Sequence, residues 1–125
     1  MKPKKVLVVD DSKLLHRMFE MMLHGCPLVH AYDGLEALDK LNEQQDIDLI
    51  LLDINMPRMN GLEFLTSVKA HPDFARIPVV IITTEGAEEE AKRGIQAGAS
   101  AYVKKPFRNE ELLGVIGGLS ASPPA

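Results

Sequence analysis

Apolar segments of strand length alternate with amphipathic segments five times along this 125-residue chain. Residues 49–52 and residues 79–82 contain no polar side chain, which is typical of strands buried on both faces of a parallel sheet. The segments between the strands carry apolar residues at helical spacing. Strand and helix that alternate with short connections require a parallel sheet with helices packed on both faces. The sequence therefore predicts a doubly wound α/β fold with five parallel strands.

The predicted boundaries follow from caps and breakers. Ser12 is a candidate N-cap for the first helix, and Gly98 a candidate C-cap for the fourth. The predicted strands are residues 6–9, 28–32, 48–53, 78–83 and 101–104. The predicted helices are residues 12–23, 35–42, 61–68, 87–97 and 109–116. We expect one domain over residues 1–119, followed by a flexible tail or the start of a linker over residues 120–125.

Composition narrows the class of protein. The net charge of −4 argues against a nucleic-acid-binding surface, which usually carries a basic excess. Cys26 is the single cysteine, so no internal disulfide can form, which fits a reducing cytoplasm. The basic N-terminus is followed by an apolar run over residues 6–9 only, too short for a signal peptide or a membrane span. We expect a cytoplasmic protein that binds neither membrane nor nucleic acid.

Chemically useful residues follow four of the five predicted strands. They are Asp10 and Asp11, Asp53, Thr83, and Lys105. Each alone has an ordinary explanation as a turn, cap or strand residue. Parallel strands bring their carboxyl ends to one edge of the sheet, however, and ligands bind at that edge in open α/β folds. The sequence predicts that these residues form one site.

Three neighbouring carboxylates repel one another, and each raises the pKa of the others. They stay ionised at low cost when cations lie between them. Lys105 supplies one positive charge, and a hard divalent ion supplies the rest. Mg²⁺ prefers a few carboxylates together with water and phosphate oxygens, so it is the predicted cofactor.

These residues, taken with Met56, Pro57, Gly61 and Tyr102 and with residues 105–107, resemble the receiver domain of bacterial two-component response regulators. The resemblance covers residues 5 to about 119. It implies the flavodoxin-like strand order 2-1-3-4-5, a fold for which a chemotaxis response regulator is a known example.

The resemblance also implies a function. Asp53 is the expected phosphoacceptor, and the donor is the phosphohistidine of a sensor histidine kinase or a histidine phosphotransfer protein. Mg²⁺ is expected on Asp11, Asp53 and the backbone carbonyl of Asn55, with Asp10 acting largely through water. Lys105 and the Thr83 hydroxyl are expected on phosphoryl oxygens. Such a protein is a signalling switch, not an enzyme, although it assists its own phosphorylation and dephosphorylation.

Similar proteins transmit the signal through a conformational change. The resemblance implies that Thr83 moves toward the phosphate and that the aromatic ring at Tyr102 turns inward. The face formed by the fourth helix, fifth strand and fifth helix is then expected to bind a downstream protein target. Asn55 and Glu85 match a pair found in chemotaxis regulators, which implies a short-lived phosphorylated state. We expect a monomer.

Other surface residues give weaker predictions. Leu14 lies outside the apolar stripe of the first helix, so it is a candidate contact for a kinase helix. Residues 88–90 are all glutamates and are expected at the start of the fourth helix, where acidic side chains are stabilising. The histidines show no metal-ligand spacing and no shared strand end, and are expected to be surface or packing residues; they are His16, His24, His30 and His71.

Two alternatives remain open. The first is an aspartyl-nucleophile phosphatase of the haloacid-dehalogenase type, whose Asp-x-Asp motif differs from the adjacent pair Asp10 and Asp11. Sustained hydrolysis of a small phosphate ester would favour it. The second is a receiver module cut from a longer regulator or hybrid kinase, for which residues 120–125 could begin a linker. A stand-alone regulator is the simpler interpretation.

Overall fold

The computed structural model describes residues 3–23, 25–44, 46–53, 61–83, 88–105 and 107–119. Five parallel strands form one sheet in the order β2-β1-β3-β4-β5. The strands are β1 (Val6–Val9), β2 (Leu28–Ala31), β3 (Leu49–Asp53), β4 (Val79–Thr83) and β5 (Ala101–Lys104). The helices are α1 (Lys13–Met22), α2 (Gly34–Glu43), α3 (Gly61–Ala70), α4 (Glu88–Gln96) and α5 (Asn109–Gly117). The predicted fold and strand order are confirmed.

Every predicted element is present, with ends shifted by one or two residues at most. The Ser12 side chain caps α1 by accepting a hydrogen bond from the Leu15 N–H, as predicted. Gly98 follows α4 with a φ of 117°, a left-handed conformation that glycine adopts without steric cost. The three glutamates form the first turn of α4, which confirms that prediction. The predicted tail lies outside the described residues.

Two apolar cores lie on opposite faces of the sheet. Val6 and Val8 of β1 join the core under α1 and α5, whereas Leu7 and Val9 join the core under α2 and α3. In α4, a Cβ added at Gly94 would overlap the side chain of Ile81 on β4, so glycine allows this helix to lie close to the sheet. All residues of β1, β3 and β4 are buried, which explains why their sequences show no polar alternation.

A capping interaction fixes the segment between β2 and α2. The Asp33 carboxylate accepts a hydrogen bond from the Glu36 N–H at 2.8 Å, and the Glu36 carboxylate accepts one from the Tyr32 N–H at 2.7 Å. Such reciprocal caps satisfy backbone donors that the first helical turn leaves without partners. The ordered turn places Tyr32 beside the start of α1, close to the carboxyl edge of the sheet.

Within the described residues, each helix is too short or too polar to cross a lipid bilayer.

Candidate metal centre

The site lies at the carboxyl edge of the sheet, between β1 and β3. Val9 is paired with Leu52, so the next residue of each strand, Asp10 and Asp53, reach the edge side by side. Asp11 follows Asp10 and is exposed. One carboxylate oxygen from each of the three aspartates lies within 4.8 Å of the others. The predicted convergence of the acidic residues is therefore observed.

Asp10 is the most buried member of the cluster, with 2% of its surface exposed. Its Oδ1 accepts a hydrogen bond from the Ser12 N–H at 2.8 Å. Its Oδ2 is buried and has no hydrogen-bond partner among the described residues, and the Lys105 Nζ lies 3.5 Å away. A buried carboxylate oxygen of this kind carries a desolvation cost unless a cation reaches it.

Burial raises the pKa of Asp10 above its ordinary value, and the neighbouring charge of Asp11 raises it further. The Ser12 N–H and the Lys105 ammonium act in the opposite direction. Repulsion among carboxylates was the predicted cause of such a shift. The structure corrects this prediction, because loss of hydration on burial raises the pKa of Asp10 more than the neighbouring charge does.

This set of donors fits Mg²⁺. The three carboxylates offer hard oxygen ligands at one point, and the oxygen of Asp10 that lacks a hydrogen bond is directed at a charged neighbour. Solvent exposure of Asp11 leaves room for the waters that Mg²⁺ usually retains. The predicted backbone ligand Asn55 lies outside the described residues, as do Met56 and Pro57.

Thr83 and Lys105 lie at the same edge, on the side of β4 and β5. Thr83 ends β4 and is 3% exposed, and its carbonyl accepts a hydrogen bond from the Lys105 N–H at 2.6 Å. This backbone contact holds the start of the loop after β5 against β4. The Lys105 side chain then reaches the Asp10 carboxylate, so the two ends of the predicted site are joined.

Tyr102 lies on β5, with 51% of its surface exposed. Ile95 of α4 and Leu113 of α5 are also exposed apolar residues. An ion pair between Lys104 and Glu88, at 3.3 Å, links β5 to α4 across this face. The predicted inward rotation of the Tyr102 ring would begin from this exposed position. Glu85 lies outside the described residues.

The histidines were predicted to be surface or packing residues; His16 is a buried packing residue, and His24 lies outside the described residues. His16 is buried and lies against His30, with 2.6 Å between their Nδ1 atoms, and its Nε2 lies 2.7 Å from the carbonyl oxygen of Asp10. The sequence analysis did not predict this contact between α1 and β2. A signal was present, because His16 precedes Phe19 by three residues and Leu23 by seven, which places it on the buried face of α1.

Comparisons with known proteins agree with this geometry. Residues 6–117 match the response regulator receiver domain family. The chain is 38% identical over 111 residues to the chemotaxis protein CheY1 of Helicobacter pylori strain J99, covering 86% of this chain and 90% of that protein. It is 38% identical over 114 residues to the transcriptional regulatory protein CpxR of Escherichia coli K12, covering 90% of this chain but 47% of that protein.

The fold is shared with solved structures as well. The chemotaxis response regulator CheY4 of Vibrio cholerae superposes with a TM-score of 0.82 at 36% identity, covering 90% of this chain and 95% of that one. The family match spans all five strands and all five helices. The chain therefore belongs to the response regulator receiver domain family of bacterial two-component signalling.

Proposed function

We propose that this protein is a phosphorylation-dependent signalling switch that accepts a phosphoryl group on Asp53 in the presence of Mg²⁺. The observation that carries the proposal is the meeting of Asp10, Asp11 and Asp53 within 4.8 Å, with Lys105 3.5 Å from Asp10. The switch domain spans residues 1–119, and residues 120–125 are a tail or the start of a linker.

In the proposed reaction, a carboxylate oxygen of Asp53 attacks the phosphorus of a phosphohistidine in line with the leaving nitrogen. The P–N bond breaks as the P–O bond forms, and the imidazole leaves and takes up a proton. When bound, Mg²⁺ held by Asp10, Asp11, Asp53 and the Asn55 carbonyl supplies positive charge for the phosphoryl oxygens. Lys105 supplies a second cation, and the Thr83 hydroxyl donates a hydrogen bond.

An exposed apolar stripe on α1 supports the proposal that the phosphodonor binds through a helix. The donor is either a sensor histidine kinase or a histidine phosphotransfer protein. Leu14, Met18 and Met21 follow the i, i+4, i+7 spacing of one helix face. Leu14 is 69% exposed and Met21 is 80% exposed. The stripe begins three residues after Asp11, so a helix packed along it has its side chains close to the acidic edge.

The output face is formed by α4, β5 and α5, and its exposed apolar residues Ile95, Tyr102 and Leu113 are its proposed contacts with a downstream protein target. Thr83 moves toward the phosphoryl group, and the Tyr102 ring moves from its exposed position toward the space that Thr83 leaves. The charge added at the acidic edge thereby changes the population of the binding-competent state. We further propose that the protein acts as a monomer in the cytoplasm.

A second candidate places the same switch in a longer regulator. The match to CpxR supports this arrangement, because the matched region covers 90% of this chain but only 47% of that transcriptional regulator. The reaction at Asp53 is then unchanged, and the output passes to an attached domain. The intact mass of the native gene product separates the two arrangements.

The test is phosphorylation by acetyl phosphate with Mg²⁺, followed by intact-mass spectrometry. The unsubstituted chain gains one phosphoryl group, and Asp53→Asn gains none. Asp39→Asn, at an exposed aspartate of α2, is the matched control and gains one group. A phosphoryl group on Asp53→Asn contradicts the assignment, and continued hydrolysis of acetyl phosphate without a phosphorylated species favours a phosphatase.

The lifetime of the phosphoryl group tests the roles of Asn55 and Glu85. We propose that this pair makes the phosphorylated state short-lived, as the resemblance to chemotaxis regulators implies. Following the phosphorylated mass after removal of acetyl phosphate measures the lifetime directly. A lifetime of many hours contradicts the proposed roles.

A further inference from the structure

His16, one of a pair of neighbouring histidines, contacts the backbone of the proposed metal site. His16 Nε2 lies 2.7 Å from the carbonyl oxygen of Asp10, and a carbonyl can only accept, so Nε2 carries a proton and donates it. This carbonyl belongs to the peptide that joins Asp10 to Asp11. A hydrogen bond to it therefore fixes the orientation of the backbone from which the Asp11 carboxylate projects.

The same peptide segment is held on its other side. The Asp10 N–H donates to the carbonyl of Ala31 on β2 at 3.1 Å, and the Ser12 N–H donates to the Asp10 carboxylate at 2.8 Å. His16 supplies the remaining contact, to a carbonyl just past the end of β1. The three hydrogen bonds together leave the segment between β1 and α1 little freedom to rotate.

His30 determines which nitrogen of His16 can donate. The two Nδ1 atoms are 2.6 Å apart, so one of them carries the proton and the other accepts it. A neutral His16 that donates from Nε2 has a bare Nδ1, and His30 then donates from its own Nδ1. His16 is 2% exposed. The Tyr32 ring lies 4.4 Å from the His16 ring and limits its rotation.

We propose that His16 is a positioning residue for the metal site, which orients the Asp10–Asp11 peptide through its Nε2–H and is held in that tautomer by His30. The inference rests on the proposed function, because the orientation of the Asp11 carboxylate matters through the ion it holds. Its role is distinct from that of the carboxylates, since no histidine atom is required to touch the ion.

The tautomers are tested first, on the unsubstituted chain without Mg²⁺. A long-range ¹H–¹⁵N correlation spectrum, recorded above the ordinary histidine pKa of about 6.5, distinguishes protonated from bare ring nitrogens. We expect His16 to be protonated on Nε2 and bare on Nδ1, and His30 to be protonated on Nδ1. A bare Nε2 on His16 overturns the proposal whatever the metal affinity.

The second test compares two amides at position 16 by calorimetric titration with Mg²⁺. Glutamine can place an N–H donor near the position of Nε2, whereas asparagine reaches only the position of Nδ1. We expect His16→Gln to keep the Mg²⁺ affinity within about twofold and His16→Asn to weaken it about fivefold, the effect of one lost hydrogen bond. His71→Asn is the control, since His71 stacks on Phe74, and leaves the affinity unchanged.

His30→Leu provides an independent variant in case His16→Asn does not fold. It removes the Nδ1–H donor, so the His16 spectrum shifts toward the other tautomer and the Mg²⁺ affinity falls by less than in His16→Asn. An unchanged His16 tautomer in His30→Leu overturns the proposed role of His30. Equal affinities of the unsubstituted chain, His16→Gln and His16→Asn overturn this inference alone. Absence of Mg²⁺ binding by the unsubstituted chain overturns the proposed function as well.

Discussion

Aspartate and lysine side chains lie at both edges of the sheet, but they stabilise the fold at the amino edge and form the candidate metal site at the carboxyl edge. At the amino edge, the Asp48 carboxylate accepts hydrogen bonds from the backbone N–H groups of Lys4 and Lys5, at 2.8 and 3.1 Å. The Lys5 ammonium lies 2.9 Å from an Asp46 carboxylate oxygen and donates to the Gln44 side chain at 3.0 Å. These interactions tie the entry of β1 to the segment before β3.

At the carboxyl edge, negative charges lie close together and are only partly balanced by a cation. Asp10, Asp11 and Asp53 gather within 4.8 Å, the Lys105 ammonium lies 3.5 Å from Asp10, and the Asp10 Oδ2 has no hydrogen bond among the described residues. Each strand that brings an aspartate to this edge is buried along its whole length. The arrangement costs stability and creates a place for a cation.

The pKa shifts of two aspartates express this difference. The hydrogen bond from the Lys5 side chain lowers the pKa of Asp46, whereas burial raises the pKa of Asp10. A lowered carboxyl pKa favours the folded state at neutral pH, and a raised one opposes it. The charged groups at the amino edge therefore stabilise the folded chain. The buried carboxylate at the carboxyl edge destabilises it and favours the binding of a cation.

Lys105→Met gives the largest expected change. Loss of this cation removes positive charge that the proposed reaction places on a phosphoryl oxygen, so the rate of phosphorylation by acetyl phosphate falls about a hundredfold or more. The rate is measured by intact mass against time. Lys40→Met, at a partly exposed lysine of α2, is the matched control and keeps the rate of the unsubstituted chain. A small change in Lys105→Met contradicts the role of Lys105.

Asp10→Asn separates stability from binding at the carboxyl edge. The neutral amide avoids the cost of burying a charge and still offers Oδ1 to the Ser12 N–H, so the free energy of unfolding rises by roughly 1 kcal/mol. The Mg²⁺ affinity falls about tenfold or more, because a charged ligand is lost. Urea unfolding and calorimetric titration give the two values. Loss of stability together with unchanged affinity would reverse the assignment of this edge.

Asp48→Ala is the counterpart at the amino edge. Two backbone N–H groups at the entry of β1 lose their carboxylate acceptor, and the free energy of unfolding falls by about 1 kcal/mol. Mg²⁺ affinity stays at the value of the unsubstituted chain, because the change is at the far end of β1. Urea unfolding and the same titration test both statements, and a weakened Mg²⁺ affinity would show that the edges are coupled.

The smallest expected effect concerns pH. Burial lowers the pKa of His30, and the nearby Glu20 opposes the shift. The unfolded chain therefore binds a proton more readily, and the stability that neutral His30 contributes is present above about pH 6.5 and is lost as the pH falls. His30→Gln has a shallower loss of stability on acidification, measured by urea unfolding at several pH values. An identical slope in both chains contradicts the shift.

The strands and the acidic site could be predicted because their signals are local. Uninterrupted apolar runs define buried strands, and the residue after each run falls at one edge of a parallel sheet. Asp10, Asp53, Thr83 and Lys105 follow this rule, which requires no knowledge of side-chain packing.

The features that the sequence did not predict depend on packing. His16 and His30 are 14 residues apart and meet only because α1 covers the end of β1 next to β2. Their proposed tautomers depend on the direction of a backbone carbonyl, which no sequence pattern specifies. The dominance of burial in the pKa shift of Asp10 likewise depends on how completely the folded chain excludes water from that carboxylate.

The most direct test of the contrast between the edges is the gain in stability that Mg²⁺ produces. Urea unfolding with Mg²⁺ at about 100 times its dissociation constant should raise the free energy of unfolding by about 2.7 kcal/mol, because the ion binds the folded chain. At the same Mg²⁺ concentration, we expect the same gain for Asp46→Asn at the amino edge and at most about half of that gain for Asp10→Asn or Asp53→Asn at the carboxyl edge. Equal gains in all four chains, or none in the unsubstituted chain, would contradict a metal site at the carboxyl edge.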